Sequence, residues 1–212
     1  MHQIGSKAHH DVARRAADNI GNQAGGWTLT WQGGSTNVIP GTTILDGIDR
    51  LSHGDVVYSE DASAPIPHRA VGLVVVGETP YAEGFGDVGG PQWAWDPADD
   101  GVARPRQTME LSDADTEAVE KVCAATVTCT VLVVSGRPVV IPPALLEQTD
   151  ALVASWLPGS EGIGVADVLF GRARFTGKLP VSWPRSVDQE PINVGDADYE
   201  PLYPYGFGLR AR

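Results

Sequence analysis

Val71-Gly72-Leu73-Val74-Val75-Val76 runs without a polar residue and ends at Gly77-Glu78. A strand with one wet face alternates polar and apolar residues. An uninterrupted apolar run therefore belongs to a strand covered on both faces, as in a parallel sheet between two layers of helix. The rest of the chain agrees. "GDVVYSED" from Gly54, "TVLVVSG" from Thr130 and "ALVASWLPG" from Ala151 read as further strands. Between them, "GTTILDGIDRLS" from Gly41, "LSDADTEAVEKVCAA" from Leu111, "PPALLEQTD" from Pro142 and "GIGVADVLFG" from Gly162 read as helices. Ser112 is the expected N-cap of the second, with Asp115 placed to complete a capping box. Proline opens the third and Gly171 stops the fourth. Strand–helix alternation predicts one α/β domain, a mostly parallel sheet with helices on both faces. The segment from Thr176 onward, rich in proline, glycine and aromatic residues, predicts irregular structure and short strands over the surface.

At 212 residues the chain suffices for one domain with a substantial core. Its net charge of -12 argues against nucleic acid or an anionic membrane as partner, since phosphate binding needs a basic surface. No run is apolar for the length of a membrane span, and the first residues lack the apolar core of a signal peptide. Cys123 and Cys129 fit either a small closed loop in an oxidising compartment or two buried thiols. No histidine or cysteine cluster stands near them, so neither a zinc site nor any other metal is expected. "GSEGIG" at Gly159 lacks the Lys-Ser/Thr of a phosphate-binding loop, and no GxSxG elbow is present.

Ligands of open parallel sheets bind beyond the carboxyl ends of the strands. "GETPYAEGFGD", Gly77 to Asp87, occupies that position after the apolar run. Glu83, flanked by Tyr81 and Phe85, is the candidate general acid, because partial desolvation raises a carboxyl into the range where it can give up a proton. The plainer reading of Glu83 is an exposed loop glutamate. "NIGNQAGGWTLTWQGG" from Asn19 to Gly34 offers amides for hydroxyls and indoles for sugar faces, with Trp27 and Trp31 as candidate binding residues. The plainer reading of either tryptophan is packing. The flanking glycines and threonines argue for a loop or extended run there. Trp93 and Trp95 read as loop anchors.

Several strings, in this order, resemble the second domain of glycoside hydrolase family 3, the β-glucosidases and exo-β-glucanases. They are "ADNIGNQAGGWTLTWQGG", "PGTTILDGI", "VVVGETPYAEGFGD", "VLVVSGRPVV", "DALVASWLPGSEGIGVADVLFG", "TGKLPVSWPRS" and "PINVGDADYEPLYPYGFGL", covering most of Ala17 to Leu209. The resemblance implies a six-stranded α/β sandwich packed on a (β/α)8 barrel, with the active site in the cleft between them. It implies retaining hydrolysis of β-glucans or β-glucosides, without cofactor, by a barrel aspartate as nucleophile and a glutamate of the sandwich as acid/base. That glutamate matches Glu83, with Glu78 as runner-up. Trp31 matches the tryptophan that stacks on the sugar in the leaving-group subsite. The resemblance also implies a Cys123–Cys129 disulfide and a periplasmic or extracellular location.

Two departures set further expectations. Nothing corresponds to the barrel, so the chain is expected to need a barrel domain or partner chain and to be inactive alone. Residues 1–16 resemble the family's lead-in helix, yet run straight into the domain proper, 17–212. The sheet is therefore expected to lack its first strand, opening an edge. The competing expectation is a non-catalytic carbohydrate-binding or scaffolding module derived from such an enzyme.

Overall fold

The structure, a computed structural model, describes residues 8–25, 35–37, 39–80 and 107–208, and the backbone of 27–28 and 31–32. The strands of its main sheet are β1 (His10–Ala13), β4 (Val56–Ser59), β5 (Val71–Gly77), β6 (Thr128–Val134) and β7 (Ala151–Ala154). All are parallel and stand in the order β4-β1-β5-β6-β7. From β1 the chain first builds outward to β4, then crosses back to add β5, β6 and β7 on the other side. The order reverses between β1 and β5, which makes their carboxyl ends the topological switch point. A separate two-stranded antiparallel ribbon pairs β2 (Trp27–Thr28) with β3 (Trp31–Gln32). The loop or extended run expected around the two tryptophans thus contains two short paired strands.

The helices are α1 (Ile20–Gln23), α2 (Ile44–Leu51), α3 (Asp113–Ala125), α4 (Pro143–Gln148) and α5 (Gly162–Leu169). Alternate residues of the apolar strands face opposite layers. Val74, Val76, Val131 and Val133 pack with Ala118, Val119 and Val122 of α3, Leu145 of α4 and Trp183 from the tail. Leu73, Val75, Leu132 and Val134 pack with Ile44 and Ile48 of α2 and Ala166 and Leu169 of α5. Each such aliphatic side chain, fully buried, contributes about 1.5–3 kcal/mol. That explains why β5 carries no polar residue and why β6 carries none from Val131 to Val134. The α2 and α5 helices meet closely: a Cβ on Gly162 would lie 2.3 Å from the Thr43 carbonyl carbon, so only glycine fits there.

Helix ends follow their local chemistry. The Ser112 hydroxyl accepts from the Asp115 N–H at 3.1 Å, capping α3 as expected. The reciprocal half is absent there, since the Asp115 carboxylate is bonded by side chains instead. A complete capping box stands on α2, where Thr43 and Asp46 bond each other's backbone. Cys123 of α3 and Cys129 of β6 form a disulfide, tying the helix to the strand it precedes. In the tail, Trp183 N–H donates to Tyr203 O at 2.8 Å, and the Trp183 indole donates to Val139 O at 3.0 Å.

One expectation is corrected. The segment read as the remnant of a lead-in helix holds β1, and that strand lies inside the sheet. His10 to Ala13 pair with β4 on one side and β5 on the other, so no edge opens beside β5. Five strands among the described residues is one fewer than the resemblance implies. Tertiary demand overrides the helical pattern here: without this segment, β4 and β5 would face each other across two rows of unpaired backbone groups. The substitution carries a cost, because it buries His10 and Asp11, which are 0% and 2% exposed. His10 Nδ1 lies 3.0 Å from the Ser52 hydroxyl, and its ring meets Phe170 edge-on. Burial pushes the Asp11 carboxyl above its ordinary range, with Lys121 opposing the shift.

Candidate functional site

Two side-chain clamps frame the switch point. At the end of β1, Arg14 adopts φ 80° and ψ 147°, a backbone conformation that side chains other than glycine rarely tolerate. Its guanidinium Nε donates to Asp115 Oδ1 at 2.6 Å, and Nη1 to Glu60 O at 3.4 Å. The Ser112 hydroxyl donates to the other Asp115 oxygen at 3.0 Å. The carboxyl end of β1 is thereby fastened to the first turn of α3.

At the end of β5, Gly77 lets the strand stay paired to its last residue, since a Cβ there would lie 1.9 Å from Val134 O. Glu78 then meets Arg137, which sits in the turn after β6. Arg137 Nε donates to both Glu78 oxygens at 3.0 Å, and Nη2 donates to Oε1 at 2.6 Å. The Glu78 side chain is only 6% exposed. Just beyond, Gln107 Nε2 donates to Thr79 O at 3.2 Å and to Thr79 Oγ1 at 3.1 Å. Thr79 and Gln107 are thus held together at the sheet's carboxyl edge.

Amide bonds shape the third wall, the polar segment after β1. Asn19 caps α1 by accepting from Asn22 N–H at 2.8 Å and donates to Ser35 O at 2.6 Å. Arg15 Nη2 reaches the same carbonyl at 2.9 Å, and Gln23 donates to Ala16 O at 3.0 Å. Asn37 accepts from Ile20 N–H at 2.6 Å. Between these walls lies a cavity of about 380 Å³, lined by residues including Arg14, Asn22, Glu78, Gln107, Thr108 and Asp115.

Of the residues singled out in the sequence, Glu78 lies in this cleft and is ion-paired. Glu83, Trp93 and Trp95 fall outside the described residues, and of Trp27 and Trp31 only the backbone is described. Arg14, Arg137, Gln107 and Asp115 were not singled out as site residues. Arg137 stood in "VSGRP", directly after a strand end, which is where side chains reach a sheet's ligand edge. Its partner lies 59 residues earlier, and sequence spacing gives no sign of that pairing. Among the described residues no group of histidine, cysteine and carboxylate side chains is arranged to hold a metal ion. No helix among them is long and apolar enough to cross a membrane.

Comparison with known proteins adds the following. The glycosyl hydrolase family 3 C-terminal domain matches residues 3–211. A probable beta-glucosidase I of Aspergillus terreus is 36% identical over 127 residues, covering 49% of this chain and 15% of that protein. The lysosomal beta glucosidase of Dictyostelium discoideum is 26% identical over 227 residues, covering 92% of this chain and 25% of that protein. The crystal structure of an exo-1,3/1,4-beta-glucanase mutant from a Pseudoalteromonas species superposes with a TM-score of 0.76 at 34% identity. It covers 98% of this chain and 33% of that one. The chain thus spans a third or less of the relatives it matches.

Proposed function

The chain belongs to glycosyl hydrolase family 3, matching its C-terminal domain over nearly its whole length, and from that membership we propose that it is the acid/base-bearing half of a retaining β-glucosidase or exo-β-glucanase. The substrates are β-glucosides or β-glucans. In this reading Glu83 protonates the departing glycosidic oxygen and then activates water, while a carboxylate of a (β/α)8 barrel attacks the anomeric carbon. Trp31 stacks on the sugar of the leaving-group subsite.

The observation that carries the assignment within the loop is the state of Glu78. Its oxygens already accept three N–H bonds from Arg137 at the root of the segment. That suits a support and leaves proton transfer to Glu83, three residues beyond Pro80 in sequence. The clamp between Gln107 and Thr79 supports the same reading, because these two residues, which flank the segment bearing Glu83 in sequence, meet at the edge where open sheets bind ligands. The Cys123–Cys129 disulfide and the lysosomal relative favour residence outside the cytosol.

Double displacement needs two carboxylates, so the 212-residue chain alone should not turn over an aryl β-glucoside. Combined with a family barrel, it should restore hydrolysis, and Glu83→Gln should abolish proton-dependent turnover. Hydrolysis by the chain alone that disappears in Glu83→Gln would overturn the division of labour. Restored hydrolysis indifferent to Glu83→Gln would overturn the acid/base assignment.

A further inference from the structure

The slot between β4 and β5 is filled by the four residues of β1, His10–Ala13, and all four are buried. Val12 and Ala13 each complete one of the two apolar layers. His10 Nδ1 lies 3.0 Å from the Ser52 hydroxyl, with the ring edge-on to Phe170, and the charge of Lys121 acts on Asp11. A strand of another sequence would match the backbone bonds of the slot and not these side-chain partners. The segment that fits is β1, whether from the same copy or from another. It is also the easier strand to release: four residues with a buried histidine and aspartate hold less apolar surface than the seven each of β5 and β6.

The connection after β1 decides whether release leads to exchange. The strand ends at Ala13 and the next helical turn begins at Arg15, so Arg14 alone makes the bend, at φ 80° and ψ 147°. A residue with a side chain is strained there. When two copies exchange an identical strand, each slot regains the same contacts and only the hinge changes. Hinge strain therefore favours the exchanged form, opposed by the entropy of association and by repulsion between two chains of charge -12. Short connections under strain are the ones that invite exchange. We propose that β1 is an exchangeable strand: two copies of this chain form a dimer in which each inserts its β1 into the β4–β5 slot of the other, with Arg14 straightened as the hinge. Because the carboxyl end of β1 borders the switch point, each switch point in the dimer is built from both copies. The inference rests on β1 and its hinge, and stands whether or not Glu83 is the acid.

The test refolds the whole 212-residue chain from urea over a range of protein concentrations, with salt added to screen its charge, and weighs the product by analytical ultracentrifugation. A dimer is expected whose share rises with the protein concentration during refolding. Isotope-labelled and unlabelled chains refolded together should show NMR contacts between chains from His10 to Val71 and from Val12 to Leu73, which are register neighbours in β1 and β5. Arg14→Gly accepts the bend without strain, and each dimer relieves two hinges, so this variant should raise the dimer dissociation constant about 30-fold or more. Arg14→Met keeps the strain and loses the same ion pair, so it should dimerise as the wild type does. A wild type that stays monomeric at every concentration would overturn the inference. So would a dimer without contacts between the β1 of one chain and the β5 of the other, since that is association through the surface. Equal dimerisation by Arg14→Gly and Arg14→Met would also overturn it, by removing the hinge as the cause. Should Arg14→Gly fail to fold by circular dichroism, the contacts between wild-type chains decide alone.

Discussion

Arg14 Nε and Asp115 Oδ1 meet at 2.6 Å across 101 residues of sequence, joining the end of the interior strand β1 to the start of α3. The side chains are 18% and 9% exposed, so the pair is largely withdrawn from water. It also holds Arg14 in a backbone conformation that is unfavourable by about 1–3 kcal/mol for a residue with a side chain.

Removing the guanidinium leaves a nearly buried carboxylate with the Ser112 hydroxyl as its remaining side-chain donor among the described residues. Arg14→Met is expected to lower stability by about 3 kcal/mol, read as a shift of the urea midpoint at constant slope. Arg14→Gly loses the same pair and relieves the dihedral strain. It should therefore be more stable than Arg14→Met by about 1 kcal/mol. Equal stability of the two variants would mean that the strain is not real.

Asp11 is a carboxyl in an interior strand of the sheet, with Oδ1 receiving no hydrogen bond from any described residue. Its folded-state pKa is raised, chiefly by burial, so folding favours the protonated form. The contribution is fully present below the ordinary carboxyl value of 3.8 and is lost as pH rises through the raised one. Asp11→Val should then stabilise the protein at pH 7 by about 1–3 kcal/mol, and the gain should shrink toward pH 4. Asp61 works in the opposite sense: hydrogen bonds from Ser63 and Ser59 hold it down to about 2. The pH dependence must therefore be read as the difference between wild type and variant. A gain independent of pH would show that packing, not ionisation, is at issue.

These two cases mark where sequence reading succeeds and fails. β5, β6 and α3 were legible because each carries its own signal: an apolar run, or a capping serine before a helical period. The capping box of Thr43 and Asp46 is equally local, its two residues standing three apart, yet the box was expected at Ser112 and Asp115, where only the serine half forms. β1 was not legible, since His10 and Asp11 are polar residues in a helix-like stretch. Only the place left between β4 and β5 makes a strand of them. Arg14–Asp115 and Glu78–Arg137 are products of topology: the fold, not the local sequence, brings β1 to α3 and β5 to the turn after β6. The glycines and threonines around Trp27 and Trp31 left a loop and an extended run both open, and the pairing of β2 with β3 was not legible.

The disulfide closes a short loop, with its cysteines 6 positions apart. Chain-entropy reasoning gives a stabilisation of about 2 kcal/mol for a loop of that size. The double variant Cys123→Ala/Cys129→Ala avoids placing a hydroxyl at Cys129, which is 1% exposed. It should unfold at correspondingly lower urea, and wild type under reducing conditions should match it. A wild type indifferent to reductant would show that the bridge adds nothing to the stability of α3 against β6.

Glu78 and Glu83 stand five residues apart, and their substitution should have different kinetic signatures in the barrel-complemented enzyme. Under the proposed mechanism Glu83→Gln removes the proton donor, so glycosides with poor leaving groups should lose about 10²–10⁴ in glycosylation rate. Activated aryl glycosides, which leave without help, should lose far less. Glu78→Gln breaks the fork made by Arg137 and loosens the root of the segment without touching the proton in flight. Its loss should fall alike on both substrate classes, and Arg137→Lys should reproduce it, since an ammonium cannot make the paired contacts of a guanidinium. A leaving-group-dependent loss in Glu78→Gln, with none in Glu83→Gln, would transfer the acid role to Glu78 and make the Arg137 pair a resting state that must open before catalysis.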